Sequence, residues 1–234
     1  VLGGSGGIGR EIVRQVAPDC AFLDIAGRSR SKVRDALNEA RLEGCRARGY
    51  AVNLGSLFSL QRMLKWAMRG ALPDVVVMAY GPLVEKEMGA TTDKDWQKMA
   101  MHNLALPGMM ASRFLPLMLA RGSGTLVFLG GSDTYQISGY RRVAAYSAAK
   151  TGLAVVSQSV QSAIDEYASM HGPVNVQALY ICPGFVDTEY LDEETRQRYE
   201  EISGGMQSVS ECAKRIVTLA NKASIADNGS RKRQ

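Results

Sequence analysis

Five glycines stand within the first nine residues, between an apolar pair and an amphipathic segment. Val1 and Leu2 lead into Gly3-Gly4-Ser5-Gly6-Gly7-Ile8-Gly9, and apolar residues at helical spacing follow. Glycine lets the backbone turn tightly and approach a phosphate group, and the N-terminus of the next helix favours negative charge. The stretch therefore predicts a strand, a turn and a helix that bind a dinucleotide. Its alternative is an ordinary tight turn between a strand and a helix.

A second pattern is the spacing of Tyr146 and Lys150 in Tyr-Ser-Ala-Ala-Lys. Four residues apart on a helix, the phenol and the ammonium share one face. A neighbouring cation favours the phenolate and lowers the tyrosine pKa, which makes a usable general acid. The alternative is a solvated lysine beside a half-buried tyrosine.

These patterns occur together and in order. The glycine register Gly3-x-x-x-Gly7-x-Gly9, followed later by Tyr146-x-x-x-Lys150, resembles the short-chain dehydrogenase/reductase family. A third landmark, Pro183-Gly184-Phe185-Val186-Asp187-Thr188, is similar to the Pro-Gly-x-x-x-Thr turn of that family. The resemblance spans residues 1–220. The other glycine register, Gly4-x-Gly6-x-x-Gly9, fits dinucleotide-binding proteins in general.

Segments of strand and helix character alternate along the chain, which predicts an α/β fold. The resemblance implies one Rossmann-like, doubly wound parallel sheet of about seven strands, with helices on both faces. We expect a single domain over residues 1–222, a substrate lid near 187–206 and a polar tail over 223–234. A helix is expected over 31–48, a strand over 50–54 and a long helix from 92 to 120, which Pro107 is expected to bend because it removes a backbone donor. The last strand of the family is not recognisable.

The resemblance also implies catalytic roles. Tyr146 donates the proton, and Lys150 lowers its pKa and holds the ribose hydroxyls. Asn103 supports a water that resupplies the proton. Ser132 orients the substrate carbonyl, although alignment from the preceding strand places Gly131 there, and Ser138 is a further candidate.

Cofactor preference depends on the end of the second predicted strand. Arg28 suits the extra phosphate of NADP, with Ser29 and Arg30 as candidates to help it, so NADP(H) is favoured over NAD(H). Asp24 would have to end the strand to favour NAD instead. Of the family's Asn-Asn-Ala-Gly, the run Met78-Ala79-Tyr80-Gly81 keeps only the glycine. The expected cofactor-binding residues are Gly3, Ser5, Gly7, Ile8, Gly9, Arg28, Ser29, Asn53, Leu54, Gly81, Tyr146, Lys150, Pro183, Gly184, Val186 and Thr188.

Composition narrows the other possibilities. The net charge is +5, and the basic residues are scattered along the chain apart from Arg231-Lys232-Arg233 at its end. This distribution does not predict a nucleic-acid-binding surface. The four cysteines form no Cys-x-x-Cys pair and only two histidines are present, so no metal site is expected. Cys182, next to the Pro-Gly turn, is expected to be a packing residue. Reduced thiols and the lack of a long apolar run predict a cytoplasmic protein without a membrane span. Because the chain begins without Met and inside a strand, we expect a further segment before it.

The function predicted from these residues and the resemblance is NADP(H)-dependent reduction of a ketone or 3-oxoacyl carbonyl to an alcohol, by a homodimer or homotetramer acting on a small molecule. The alternative is a dinucleotide-binding scaffold or redox sensor with impaired catalysis, which the departures at residues 78–80 and the uncertain serine favour. A methyltransferase using the same turn is disfavoured, because it needs neither Tyr-x-x-x-Lys nor the Pro-Gly turn.

Overall fold

A computed structural model describes residues 1–53, 56–68, 70–131 and 142–225. All strand pairs in these ranges are parallel, and the strands alternate with helices, as predicted for an α/β fold. The helices are α1 (Gly7–Val16), α2 (Arg30–Leu42), α3 (Leu57–Ala67), α4 (Asp93–Ala100), α5 (Leu106–Arg121), α6 (Ala144–His171), α7 (Glu193–Ser203) and α8 (Val209–Ile225). The strands are β1 (Phe22–Gly27), β2 (Arg46–Ala51), β3 (Val75–Met78), β4 (Ser123–Leu129), β5 (Asn175–Ile181), β6 (Val186–Asp187) and β7 (Gln207–Ser208).

The chain divides into two compact units, of which the first comprises residues 1–67 and 183–218. In this unit β1 pairs with β2, and Leu2, expected at the end of a strand, forms a single parallel bridge to Ala26. The two-residue strands β6 and β7 also pair. Small and branched side chains of α1, α2, β1 and β2 form the core, including Val13, Leu23, Ile25, Ala36, Ala40 and Ala47.

The second unit runs from residue 68 to 182 and resumes at Leu219. Its sheet has the order β3-β4-β5, and β4 is buried along most of its length. Continuous apolar burial is what a parallel strand covered on both faces requires. The helices α4, α5 and α6 contribute Met99, Met110, Phe114, Met118, Leu153 and Ile164 to the buried residues of this unit.

Two predicted boundaries were wrong. The expected helix over 31–48 ends at Leu42, and the expected strand over 50–54 is β2, from Arg46 to Ala51. Gly44, with φ 83°, turns the chain out of the helix. Of the residues of β2 only Ala47 is buried, and the half-buried Arg48 pairs with Asp24 of β1.

The segment predicted as one helix from 92 to 120 is interrupted. Thr92 and Asp95 form a capping box at the start of α4, and a π-helical turn from Met101 to Ala105 separates α4 from α5. Pro107, predicted to bend this helix, lies just after the turn. A proline cannot donate to the carbonyl four residues earlier, which belongs to Asn103. The functional asparagine predicted from the sequence therefore lies at a break in helical hydrogen bonding.

The segment over residues 187–206, predicted as a lid, contains α7. Asp192 caps this helix by accepting a hydrogen bond from the Thr195 N–H at 2.8 Å. Within the described ranges, no helix is long and apolar enough to cross a lipid bilayer. In the same residues, no group of three or more His, Cys, Asp and Glu side chains is placed to hold a metal ion.

Candidate active site

Tyr146 and Lys150 lie one turn apart near the start of α6, in the second unit. The Lys150 Nζ is 5.7 Å from the centre of the Tyr146 ring. It donates a hydrogen bond of 2.7 Å to the carbonyl of Leu129, the last residue of β4. The spacing therefore places both side chains at the carboxyl end of a central strand, where parallel α/β folds bind ligands.

Burial sets the protonation of Lys150. Only 5% of the residue is exposed, and burial lowers the pKa of its ammonium to about 8. The nearby Cys182 opposes this shift. One carbonyl partner satisfies part of the ammonium's hydrogen-bonding capacity, so its remaining donors are available to a ligand.

Tyr146 differs from the prediction. Burial raises the pKa of its phenol to about 12, and Cys182 adds to the rise. Lys150 was expected to lower this pKa, but its ammonium is held by the Leu129 carbonyl and does not offset the loss of solvation. The phenol therefore keeps its proton near neutral pH. Cys182, which the sequence suggested was a packing residue, influences both members of the pair.

Asn103 is fully buried beside this pair. Its Nδ2 donates to the Pro82 carbonyl at 3.0 Å, while its Oδ1 has no hydrogen-bond partner among the described residues. A Cβ added to Gly81 would overlap Asn103 Oδ1 and lie 3.3 Å from Lys150 Nζ. The glycine that this chain retains from the family motif thus leaves room for both polar groups against the backbone, and the Asn103 acceptor is available to a polar ligand or water.

The substituted part of that motif has its own packing. Met78 is buried in β3, and Tyr80 contacts His102 edge-on, with ring centres 5.1 Å apart. This contact of Tyr80 with His102, the neighbour of Asn103 in the chain, was not predicted from the sequence. Ser132, its alternative Ser138, and Leu54 lie outside the described residues.

The glycine-rich turn belongs to the first unit. Gly3 and Gly7 have φ angles of 84° and 49°, which favour glycine. Gly6 is the N-cap of α1 and no side chain caps the helix, so its first N–H groups are not taken up by a capping side chain. Ile8 and Gly9 belong to the first helical turn. A Cβ on Gly27 would overlap the Ser5 hydroxyl, so the buried Ser5 packs against the end of β1.

Residues predicted to bind the adenosine end lie at the carboxyl ends of β1 and β2. The Val52 N–H donates to the Gly27 carbonyl at 2.8 Å, which brings Arg28 and Asn53 to the same edge. Arg28 is exposed and makes no hydrogen bond or ion pair with the described residues. Ser29 caps α2 by accepting from the Lys32 N–H.

Asp24 is engaged elsewhere. Arg48 donates to both carboxylate oxygens at 2.9 Å, and the Tyr50 hydroxyl donates to Oδ1 at 3.1 Å. These contacts join β1 to β2 in the middle of the strands. Asp24 is not the terminal residue of β1, so the condition under which it would favour NAD is not met.

The Pro-Gly turn is held by its own unit. The Pro183 carbonyl accepts hydrogen bonds from Gln207 and from Arg215, the latter at 3.1 Å. Gly184 has φ 80°, and Val186 is buried in β6. The Thr188 carbonyl accepts from the Leu191 N–H at 3.2 Å, which closes the turn before α7.

The side chain of Tyr190, which was not selected from the sequence, lies against the glycine-rich turn. Lys32 and Glu189, which were not selected either, form an ion pair beside it. A Cβ on Gly6 would overlap the Tyr190 hydroxyl, and one on Gly7 would lie 3.1 Å from the Tyr190 ring. Lys32 donates to the Glu189 carboxylate at 2.8 Å. No local pattern marks this long-range contact.

A Rossmann-like α/β protein is defined by the parallel strands, the alternating helices and the glycine turn before α1. The short chain dehydrogenase family matches residues 1–200. The chain therefore belongs to this family of NAD(P)-binding oxidoreductases, which act on CH–OH and C=O groups of small molecules.

Individual relatives are distant. The mouse (Mus musculus) "Dehydrogenase/reductase SDR family member 4" is 25% identical over 215 residues, covering 88% of this chain and 72% of the relative. A Streptomyces coelicolor protein named "Putative ketoacyl reductase" is 28% identical over 86% of this chain and 75% of its own. The crystal structure of a metagenomic short-chain oxidoreductase in complex with NADP has a TM-score of 0.77 at 20% identity, covering 94% of this chain and 88% of that chain. The fold class predicted from the sequence is confirmed.

Proposed function

We propose that this protein is an NADP(H)-dependent reductase that converts a ketone or 3-oxoacyl carbonyl into an alcohol. The observation that carries the proposal is the cluster formed by the half-buried Tyr146 and the buried Lys150 and Asn103 in the second unit. A protonated phenol, a fixed ammonium and an unsatisfied amide oxygen are the groups that a proton transfer to a carbonyl oxygen requires.

The residues of the first unit fit the phosphates of a dinucleotide. The α1 N-terminus has no side-chain cap, and the glycines at Gly6 and Gly7 put no Cβ of their own over it. Here Gly3, Ser5, Gly7, Ile8 and Gly9 would hold the pyrophosphate. Arg28 and Ser29 would meet the 2′-phosphate, which is the reason for preferring NADP(H). Asn53 and Leu54 would lie at the adenine, and Pro183, Gly184, Val186 and Thr188 at the carboxamide end.

When bound, NADPH supplies the hydride. Tyr146 donates the proton to the carbonyl oxygen, and its raised pKa keeps that proton in place at neutral pH. Lys150 presents its positive charge beside the phenol and stabilises the phenolate that forms. It also offers donors to the ribose hydroxyls. Asn103 Oδ1 orders a water for reprotonation. Gly81 leaves room for this arrangement, and Ser132 orients the substrate oxygen.

The test is NADPH and NADH consumption over a panel of ketones and acyl thioesters, by the wild type and by Tyr146→Phe. The variant is expected to lose turnover by a factor of roughly 10²–10⁴, because it lacks the acid, while NADPH binds with unchanged Kd. The matched control is Tyr167→Phe, a tyrosine of the same helix that stacks on His171. This control should keep full turnover.

Preserved turnover in Tyr146→Phe would refute the assignment of the acid. A wild type that binds NADPH and reduces nothing on the panel would favour the alternative function, a dinucleotide-binding scaffold or redox sensor. The expected homodimer or homotetramer and the cytoplasmic location stay predictions, and sedimentation of the purified protein tests the first.

A further inference from the structure

The glycine-rich turn is covered by side chains of the segment that follows the Pro-Gly turn, within the same unit. The Tyr190 hydroxyl and ring lie where Cβ atoms of Gly6 and Gly7 would be. A Glu189 carboxylate oxygen lies 3.3 Å from the Cβ position of Gly6. The space that glycines leave for a pyrophosphate is therefore occupied by the protein's own side chains.

Charge contributes to this contact as well as shape. The Glu189 carboxylate lies near the uncapped N-terminus of α1, where a negative charge is favoured. Its hydrogen bond with Lys32 lowers its pKa, and the charge of Arg10 acts in the same direction. Glu189 is therefore ionised at neutral pH. Lys32 also lies 5.2 Å from the centre of the Tyr190 ring, so it holds both residues.

The contact is held only weakly. Tyr190 is 63% exposed, and the side chains of Lys32 and Glu189 are 44% and 47% exposed. Exposed ion pairs contribute little to stability, so the contact can open at small cost. If such a contact covers a binding site, only the molecules in which it is open bind the ligand, so the apparent affinity falls as the covered fraction rises.

We infer that Glu189 and Tyr190 form a gate over the glycine-rich turn, with Lys32 as its latch, and that the pyrophosphate of a dinucleotide must displace them. The inference rests on the proposed function, since it regulates binding of the same cofactor. The negative Glu189 and the pyrophosphate compete for one place beside α1, and the Tyr190 ring excludes the phosphate atoms sterically.

The experiment is titration of the wild type, Tyr190→Ala and Glu189→Gln with NADPH, with ADP-ribose and with adenosine 2′-monophosphate. Both variants should lower the Kd of the two pyrophosphate ligands by roughly three- to tenfold, because the open fraction rises. The Kd of adenosine 2′-monophosphate, which has no pyrophosphate, should stay constant. Glu193→Gln is the matched control, since this carboxylate pairs with Arg196 on α7 and is outside the gate.

An unchanged or raised Kd for NADPH and ADP-ribose in Tyr190→Ala would overturn the gate, as would an equal gain in the Glu193→Gln control. Wild-type binding and turnover come from the same preparations, so the two ideas are separable. If the variants bind more tightly while no carbonyl is reduced, the proposed reductase fails and the gate stands. If none of the proteins binds a pyrophosphate ligand, both are refuted. Thermal denaturation of each variant checks that it folds.

Discussion

The glycine-rich turn of the first unit and the Tyr146 cluster of the second unit use polar groups in opposite ways. Around the turn, Lys32, Glu189 and Tyr190 are exposed and held by one ion pair and ring contacts. In the cluster, Lys150 and Asn103 are buried and anchored to backbone carbonyls. Exposed pairs rearrange cheaply, whereas buried polar groups hold a fixed geometry. The difference suits a region that admits a ligand and a region that performs chemistry.

The strongest way to break this comparison is Lys150→Met. We expect turnover to fall by about 10³-fold, because the phenol loses the cation that stabilises its deprotonated form. In the wild type, turnover should decline as pH rises through about 8, where Lys150 loses its proton. Steady-state rates from pH 6 to 10 measure both effects, and a flat wild-type profile across pH 8 would contradict the role of the ammonium.

The same variant reports on burial. The pKa of Lys150 falls from 10.5 when solvated to about 8 in the fold, so the unfolded chain binds more protons between these values. Stability from this group therefore rises with pH in that window. Relative to Lys150→Met, the wild type should gain ~1–3 kcal/mol in free energy of unfolding from pH 8 to 10.5. Urea denaturation at each pH measures the difference, and a constant difference would mean that the ammonium is solvated.

Placing a methyl group in each region sharpens the comparison. Gly81→Ala forces a Cβ onto Asn103 Oδ1, so we expect ~1–3 kcal/mol of destabilisation and about 100-fold lower turnover. Gly89→Ala is the control, because nothing lies within 4 Å of its added Cβ. Gly6→Ala should change stability by less than about 0.5 kcal/mol. Its backbone is extended and the exposed Tyr190 can move away. Equal losses at Gly6 and Gly81 by thermal denaturation would remove the contrast.

The smallest expected effect concerns Arg28, at the edge of the first unit. Arg28→Leu should weaken NADPH by at least about tenfold and leave NADH unchanged, because a charged hydrogen bond to the 2′-phosphate is lost. Arg34→Leu, which removes an exposed arginine further along α2, is the control for charge alone. Calorimetric Kd values for both cofactors decide the matter, and a similar loss for NADH would show that Arg28 acts on something other than the 2′-phosphate.

Local patterns predicted much of this molecule. The Tyr146 helix, the buried strands β3 and β4, and the glycine turn follow from periodicity and from the φ angles that glycine allows. The predicted end of α2 was wrong because Gly44 and the first residues of β2, up to Arg48, were assigned to a charged helix. Gly44 was a usable signal for the end of the helix.

Other features depend on contacts between distant residues. Asp24 pairs with Arg48 and Tyr50, which no local pattern announces. The position of Tyr190 over Gly6 joins residues far apart in the chain. The sequence correctly predicted that Lys150 lies near the Tyr146 phenol. It predicted the direction of the pKa shift of Tyr146 wrongly, because that shift depends on how completely the surroundings exclude water.

The π-helical turn at Met101–Ala105 affects the direction in which the Asn103 side chain points. Such a turn is a helix with one residue too many, and the surplus shifts the phase of everything after it. A single helical wheel drawn through α4 and α5 therefore does not put the residues of the two helices on their true faces. Removing one residue here would join the two helices into a regular one and rotate Asn103 relative to Pro82 and Gly81. The extra residue of the π-helical turn thus keeps the Asn103 amide directed towards Pro82 and Gly81, where a regular helix would point it elsewhere.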